Sequence, residues 1–174
     1  MAFPSVIFSF NYLIFLFCTP LLISLSACGQ QTFEQKLEGM YRQTVPLMQP
    51  SALDSLRQAK FVVLLDTRSP EEYKVSHLPS AQFVNYDTFR PEDISDIPTD
   101  AEVVVYCAVG YRSERVGEQL QQAGYQNVHN LYGGIFAWKN RGYPVVNPQG
   151  QVTDSVHTYN RRWSRWLKRG VKVW

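Results

Sequence analysis

Three short apolar runs, each buffered by a helical pattern, limit what this chain can fold into. Phe61-Val62-Val63-Leu64-Leu65 ends at Asp66, Val103-Val104-Val105-Tyr106 ends at Cys107, and Val128 to Leu131 follows. Continuous rather than alternating apolarity marks strands buried on both faces. Between them lie helix signals. Ser69-Pro70-Glu71-Glu72 places Pro in a first turn and acids near the positive end of a helix. Residues 113–123 carry Val116, Leu120 and Ala123 on one face, with Gly124 as a stop. Gly133-Gly134 turns into a segment bearing Ile135 and Trp138. Strand-helix alternation of this kind predicts an α/β fold, a parallel sheet flanked by helices in three layers. Ligands in such folds bind beyond the carboxyl ends of the strands, where Asp66 and Cys107 both fall.

Further elements complete the reading. Phe33, Leu37, Met40/Tyr41 and Thr44/Val45 recur at helical spacing, so a helix is predicted over 33–45, ending before Pro46. Pro50-Ser51 opens a second helix, residues 81–86 form a short strand, and residues 87–100 are a surface connection.

Cys107 draws the chemistry. A cysteine that ends a strand and opens a tight loop into a helix faces backbone N–H groups and a helix's positive end, which favours thiolate over thiol. The bland reading is a buried cysteine packing as a small hydrophobe. The loop that follows, Ala108-Val109-Gly110-Tyr111-Arg112, favours a nucleophile. Gly110 lets the backbone curl inward, Ala108, Val109 and Tyr111 supply main-chain donors, and Arg112 offers a planar fork for the anionic end of a substrate.

The chain has three cysteines. The first 27 residues hold no charged side chain and end in Leu25-Ser26-Ala27-Cys28, which resembles the lipobox of bacterial lipoproteins. On that reading residues 1–27 are a signal peptide that takes Cys18 with it. Cys28 is lipidated, and the protein is held on the exported, periplasmic side of a bacterial membrane. The n-region lacks Lys and Arg, and an uncleaved anchor of about 20 apolar residues is the other reading. Both tether the chain to a membrane.

Several stretches together resemble the rhodanese family. They are Leu65-Asp66-Thr67-Arg68-Ser69-Pro70-Glu71-Glu72-Tyr73, His77-Leu78-Pro79-Ser80-Ala81, Val103 to Ser113, Leu131-Tyr132-Gly133-Gly134-Ile135-Phe136-Ala137-Trp138 and Gly142-Tyr143-Pro144-Val145. The resemblance covers residues 50–147, after an N-terminal linker or helix over 28–49. Ser80 stands where the family usually has Gly, and Thr67 where an aliphatic residue is common. The resemblance implies a sulfurtransferase in which Cys107 takes a sulfane sulfur from a small anionic donor such as thiosulfate. The resulting persulfide passes its sulfur to a thiol or cyanide-like acceptor, without a cofactor. The alternative is a non-catalytic module of the same fold that recognises an anion or a partner's thiol. Cys107 to Arg112 is Cys-x4-Arg, one residue shorter than the cysteine phosphatases' loop, which suits a single sulfur atom rather than phosphate. Asp66 and Arg68 read as scaffold near the site, Asp66 accepting loop N–H bonds and Arg68 pairing with Glu72 or nearby chain. His77 reads as a turn residue. His129 and His157 lack partners at ligand spacing, so no metal is expected.

Residues 148–174 form a basic tail outside the resemblance. From 151 onward it holds six basic residues against Asp154, a net of +5, while residues 28–150 carry 11 basic and 14 acidic, a net of −3. Trp163, Trp166 and Leu167 fall at i, i+3 and i+4. Two readings stand: an interfacial membrane segment, or a terminal helix packing its Trp face on the domain. Nucleic acid is not an expected partner.

Overall fold

The computed structural model describes Met1 and residues 31–174. Residues 2–30, with Cys18, Cys28 and all but the first residue of the segment read as a signal peptide, therefore lie outside the described residues. Among those described, no helix is long and apolar enough to cross a membrane.

Strands β1 (Leu47–Met48), β2 (Val63–Asp66), β3 (Gln82–Phe83), β4 (Glu102–Tyr106) and β5 (Asn127–Leu131) pair in parallel in the order β1-β5-β4-β2-β3. Because β2 connects outward to β3 on one side and β4 to β5 on the other, the topology switches between β2 and β4. That switch is where a crevice opens beyond the strand ends. Asp66 pairs in register with Tyr106 there, and Cys107 is the next residue.

Side chains of the central strands alternate between two cores. Leu64, Val104, Tyr106 and Leu131 join Leu37, Leu53 and Trp138 on one face; Val63, Leu65, Val103, Val105 and Val128 join Val116 and Leu120 on the other. The first face is covered by α1 (Phe33–Glu38), α2 (Pro50–Ala59) and α5 (Gly134–Asn140), the second by α4 (Tyr111–Gln122). Between β2 and β3, α3 (Pro70–Val75) starts with a capping box in which Ser69 and Glu72 exchange side-chain-to-backbone bonds.

Four boundaries differ from the sequence reading. The first helix stops at Glu38 rather than 45, because Gly39 caps it and the N–H groups of Arg42 and Thr44 donate to the Glu114 carboxylate (2.9 and 3.2 Å) instead of to a helical carbonyl. Strand β2 begins at Val63, leaving Phe61 exposed, and β3 keeps only Gln82 and Phe83 of 81–86. Helix α4 starts at Tyr111, two residues early, so Tyr111 and Arg112 occupy its first turn.

Residues 31–174 form one compact unit. After β6 (Val145–Val146) the chain continues through β7 (Val152–Thr153), β8 (Ser155–His157), α6 (Arg161–Ser164) and β9 (Val171–Val173). β7 pairs antiparallel with β6, and β8 pairs in parallel with β9. Ser76 at the end of α3 donates its hydroxyl to Ser155 O at 2.6 Å. Trp166 and Leu167 are buried in the first core, and Phe33 lies 5.4 Å from Trp166, ring to ring. The tail's apolar face is packed on the domain, but its helix is only four residues long.

Candidate active site

Cys107 is 1% exposed, at the foot of a cavity of about 220 Å³. Its loop neighbours Ala108 and Val109 and the first turn of α4, Tyr111 and Arg112, form one side. Met40, from the segment before β1, and Tyr159 and Trp163, from the tail, form the other.

The loop closes on the sulfur through Gly110, whose N–H donates to Cys107 Sγ at 3.1 Å. Gly110 has φ +97°, and a Cβ there would run into Tyr41 Oη. Only glycine meets both conditions. Behind the loop, Gly134 starts α5 with φ +53°, where a Cβ would run into Cys107 O and Ala108. This close approach lets Ile135 N–H donate to Cys107 O at 2.9 Å and Phe136 N–H to Ala108 O at 3.2 Å. Asn130, at the end of β5, donates to Gly110 O (2.9 Å) and accepts from the Ser113 hydroxyl (2.7 Å). The backbone of the Cys107 loop is thus held by the start of α5 and by Asn130.

Burial pushes the thiol's pKa up. The Arg112 guanidinium, then the N–H groups of Ser113 and Val109, outweigh it, so Cys107 lies below the ordinary thiol range. Arg112 is itself clamped: Nη1 and Nη2 donate to the two Glu72 oxygens at 2.7 and 2.8 Å. Such a two-pronged pair fixes the plane of the cation. Glu72 thus pairs with Arg112, not with Arg68 as one sequence alternative had it. Arg68 instead grips Asp66 (Nε to Oδ1 2.9 Å, Nη2 to Oδ2 2.7 Å) and donates to Ser76 O, with both side chains fully buried. Asp66 accepts one loop N–H, that of Arg68 (3.1 Å). This pair braces the β2–α3 corner, and neither residue lines the cavity. His77 turns the chain by bridging Val146 and stacks on Tyr73, with ring centroids 4.0 Å apart.

Sequence reasoning missed Tyr41. Its hydroxyl donates to Val109 O at 2.6 Å and accepts from Gly133 N–H at 2.9 Å, so one side chain ties the Cys107 loop to the start of α5. Burial pushes the hydroxyl's pKa up, which keeps its proton available for donation. The helical spacing that included Tyr41 marked it as core, and nothing local pointed to a partner 68 residues away. Tyr41→Phe strands the buried Val109 carbonyl and Gly133 N–H, and is expected to cost about 1–3 kcal/mol. Urea midpoints of the two proteins check this; an unchanged midpoint would remove Tyr41 from the loop's support.

A parallel α/β sheet with a loop-cradled cysteine at its switch point defines the class of domain to which the chain is compared. Residues 49–141 match the family described as Rhodanese-like domain. The chain belongs to the rhodanese family. A sulfurtransferase of Allochromatium vinosum is 40% identical over 95 residues, covering 55% of this chain and 88% of the relative. An adenylyltransferase and sulfurtransferase of Candida albicans is 32% identical over 121 residues, but only 26% of that longer protein is covered. Among solved structures, a rhodanese-related protein from Thermoplasma volcanium is 29% identical with a TM-score of 0.52, covering 58% of this chain and 97% of that one. These relationships support a sulfurtransferase-type function in general terms.

Proposed function

We propose that this protein is a sulfurtransferase that carries sulfane sulfur as a persulfide on Cys107. The Cys107 thiolate attacks the outer sulfur of a small anionic donor such as thiosulfate. A sulfur–sulfur bond forms on Cys107 as the donor's own breaks, and sulfite leaves with the electron pair. The terminal sulfur, now anionic, is stabilised by the loop N–H groups and the Arg112 charge. A thiol or cyanide-like acceptor then takes that sulfur and returns the thiolate. The observation that carries this reading is the buried thiol, held below its ordinary pKa by Arg112 at the foot of an open cavity.

The test is the intact mass of the full chain after thiosulfate treatment, beside Cys107→Ser. A gain of one sulfur atom, absent from the variant and removed by cyanide or excess thiol, is expected. A folded protein that gains no sulfur from thiosulfate, polysulfide or an organic persulfide would make the chain a binding module instead.

A further inference from the structure

Met40, Tyr159 and Trp163 all lie outside the stretch that matches the family, yet they wall the cavity over Cys107. At ~30 Å³ per water, 220 Å³ would hold about seven waters. That is generous for a five-heavy-atom inorganic anion and below the ~300–1,000 Å³ of a drug-sized pocket. A thioether and two aromatic rings offer an anion little but suit a compact organic body.

Trp163 also lines a second cavity, of about 180 Å³, into which Lys36, Arg162 and Arg165 converge. Lys36 Nζ lies 5.8 Å from the Trp163 ring centre, and the Arg165 guanidinium 4.5 Å from that of Trp166. Among the described residues no carboxylate comes within 4.0 Å of these three cations. Residues 1–30 contain no Asp or Glu. Three converging, uncompensated cations create a local field that an acidic group would relieve. The shared indole makes the two cavities neighbours, one ending at Cys107 and the other at positive charge.

We propose that the sulfur carrier served by this site is a small organic thiol or persulfide bearing an acidic group. Its sulfur meets Cys107, its apolar body lies against Met40, Tyr159 and Trp163, and its acid sits among Lys36, Arg162 and Arg165. The acid is a carboxylate, phosphate or sulfonate. The proposal rests on the persulfide reading and narrows its substrate class. In the transfer, the Cys107 thiolate attacks the outer sulfur of R–S–S⁻, R–S⁻ departs as the new bond forms, and the persulfide charge moves to Cys107. No external oxidant or reductant enters.

Two aryl disulfides that differ in charge test this independently of sulfur transfer. 5,5′-Dithiobis(2-nitrobenzoate) carries a carboxylate on each ring; 2,2′-dithiodipyridine is uncharged. Each reacts when the Cys107 thiolate breaks the reagent's disulfide and forms a mixed disulfide; the first reagent releases the yellow thionitrobenzoate thiolate, and the second a pyridinethiolate that takes up a proton and is read in the ultraviolet as pyridine-2-thione. In the full chain, with the rate of the matching Cys107→Ser protein subtracted to remove any reaction at Cys18 and Cys28, the charge-reversing pair Arg162→Glu with Arg165→Glu is expected to slow the carboxylated reagent roughly tenfold and to leave the neutral one within about twofold. The neutral reagent's rate also reports that the variant has kept its fold. A second pair of exposed cations that line neither of these two cavities, Arg141→Glu with Lys172→Glu, makes the same change in net charge and is expected to affect neither rate. Equal slowing by both pairs would reduce the effect to long-range steering and overturn the proposal. So would loss of binding to phosphatidylserine vesicles with both reagent rates intact, which would assign the cations to a lipid surface. Because these rates report only disulfide exchange, they stay readable even if thiosulfate delivers no sulfur.

Discussion

Arg112→Gln is expected to move the reactivity of Cys107 to higher pH and to slow sulfur transfer by roughly 10²-fold, the scale of removing one preorganised electrostatic partner. The thiol is almost fully buried, and burial alone would hold it protonated. Arg112 is the largest influence opposing that. The same substitution strips Glu72, 1% exposed in its side chain, of a bidentate partner. Leaving a buried carboxylate unpaired costs about 3 kcal/mol, the low end for a broken buried pair because Arg112 keeps some contact with water. This cost has a pH signature. Burial pushes the Glu72 pKa up, but the Arg112 hydrogen bonds and charge more than offset it, so the folded value is depressed. The pair's contribution is therefore complete above the ordinary carboxylate range and disappears as pH falls through the folded value. The gap in stability between wild type and Arg112→Gln should narrow in acid. Arg112→Lys keeps the charge but loses the planar fork, and should fall between the two. Iodoacetamide alkylation rates across pH read the thiolate directly. A folded Arg112→Gln protein with an unshifted profile would show that the loop N–H groups alone set the thiolate.

Arg68→Met is expected to destabilise the protein by about 3–5 kcal/mol while leaving the cavity walls in place. Asp66 and Arg68 are both wholly buried, and Arg68 makes most of the hydrogen bonds the carboxylate receives. Against a typical stability of 5–15 kcal/mol, losing that partner puts the chain near its folding threshold. The cost arises from an uncompensated charge rather than from lost packing. Replacing both residues, Asp66→Leu with Arg68→Met, should thus recover much of the loss, since an apolar pair needs no counter-charge. Denaturant midpoints of the single and double variants separate the two causes. A double variant as unstable as the single one would assign the cost to the shape of the β2–α3 corner.

Much of the fold was legible because the central strands are apolar on both faces, and that pattern survives in a single sequence. Cys107 and its loop were legible because Cys, Gly and Arg fall within six consecutive residues. The clamp on Arg112 was not: Glu72 is 40 residues away and reads equally well as an acid in the first turn of α3. Thr44 and Val45 extended the apparent helix because their spacing continued to fit, whereas the backbone there is tied to Glu114. Periodicity reports which side chains face the core but not which donor completes a distant acceptor. The tail shows the same division. Trp166 and Leu167 were rightly grouped as one face, yet only Arg161–Ser164 is helical. Ser80 carries a further clue, since its φ of +64° is the left-handed geometry that explains why the family usually has glycine there.

Tyr41 in front of the family's stretch and Trp163 behind it bear on how the chain can be cut. A fragment trimmed to residues 49–141 would keep the cysteine, the loop and the whole of β2 to β5. It would lose the hydroxyl that fastens the loop, the three residues Met40, Tyr159 and Trp163 that wall the cavity, and the Leu37 and Leu167 side chains that close one core. The boundary that similarity draws and the boundary that physics draws are different lines, and the smallest piece that inherits this site begins before Phe33 and runs past Leu167.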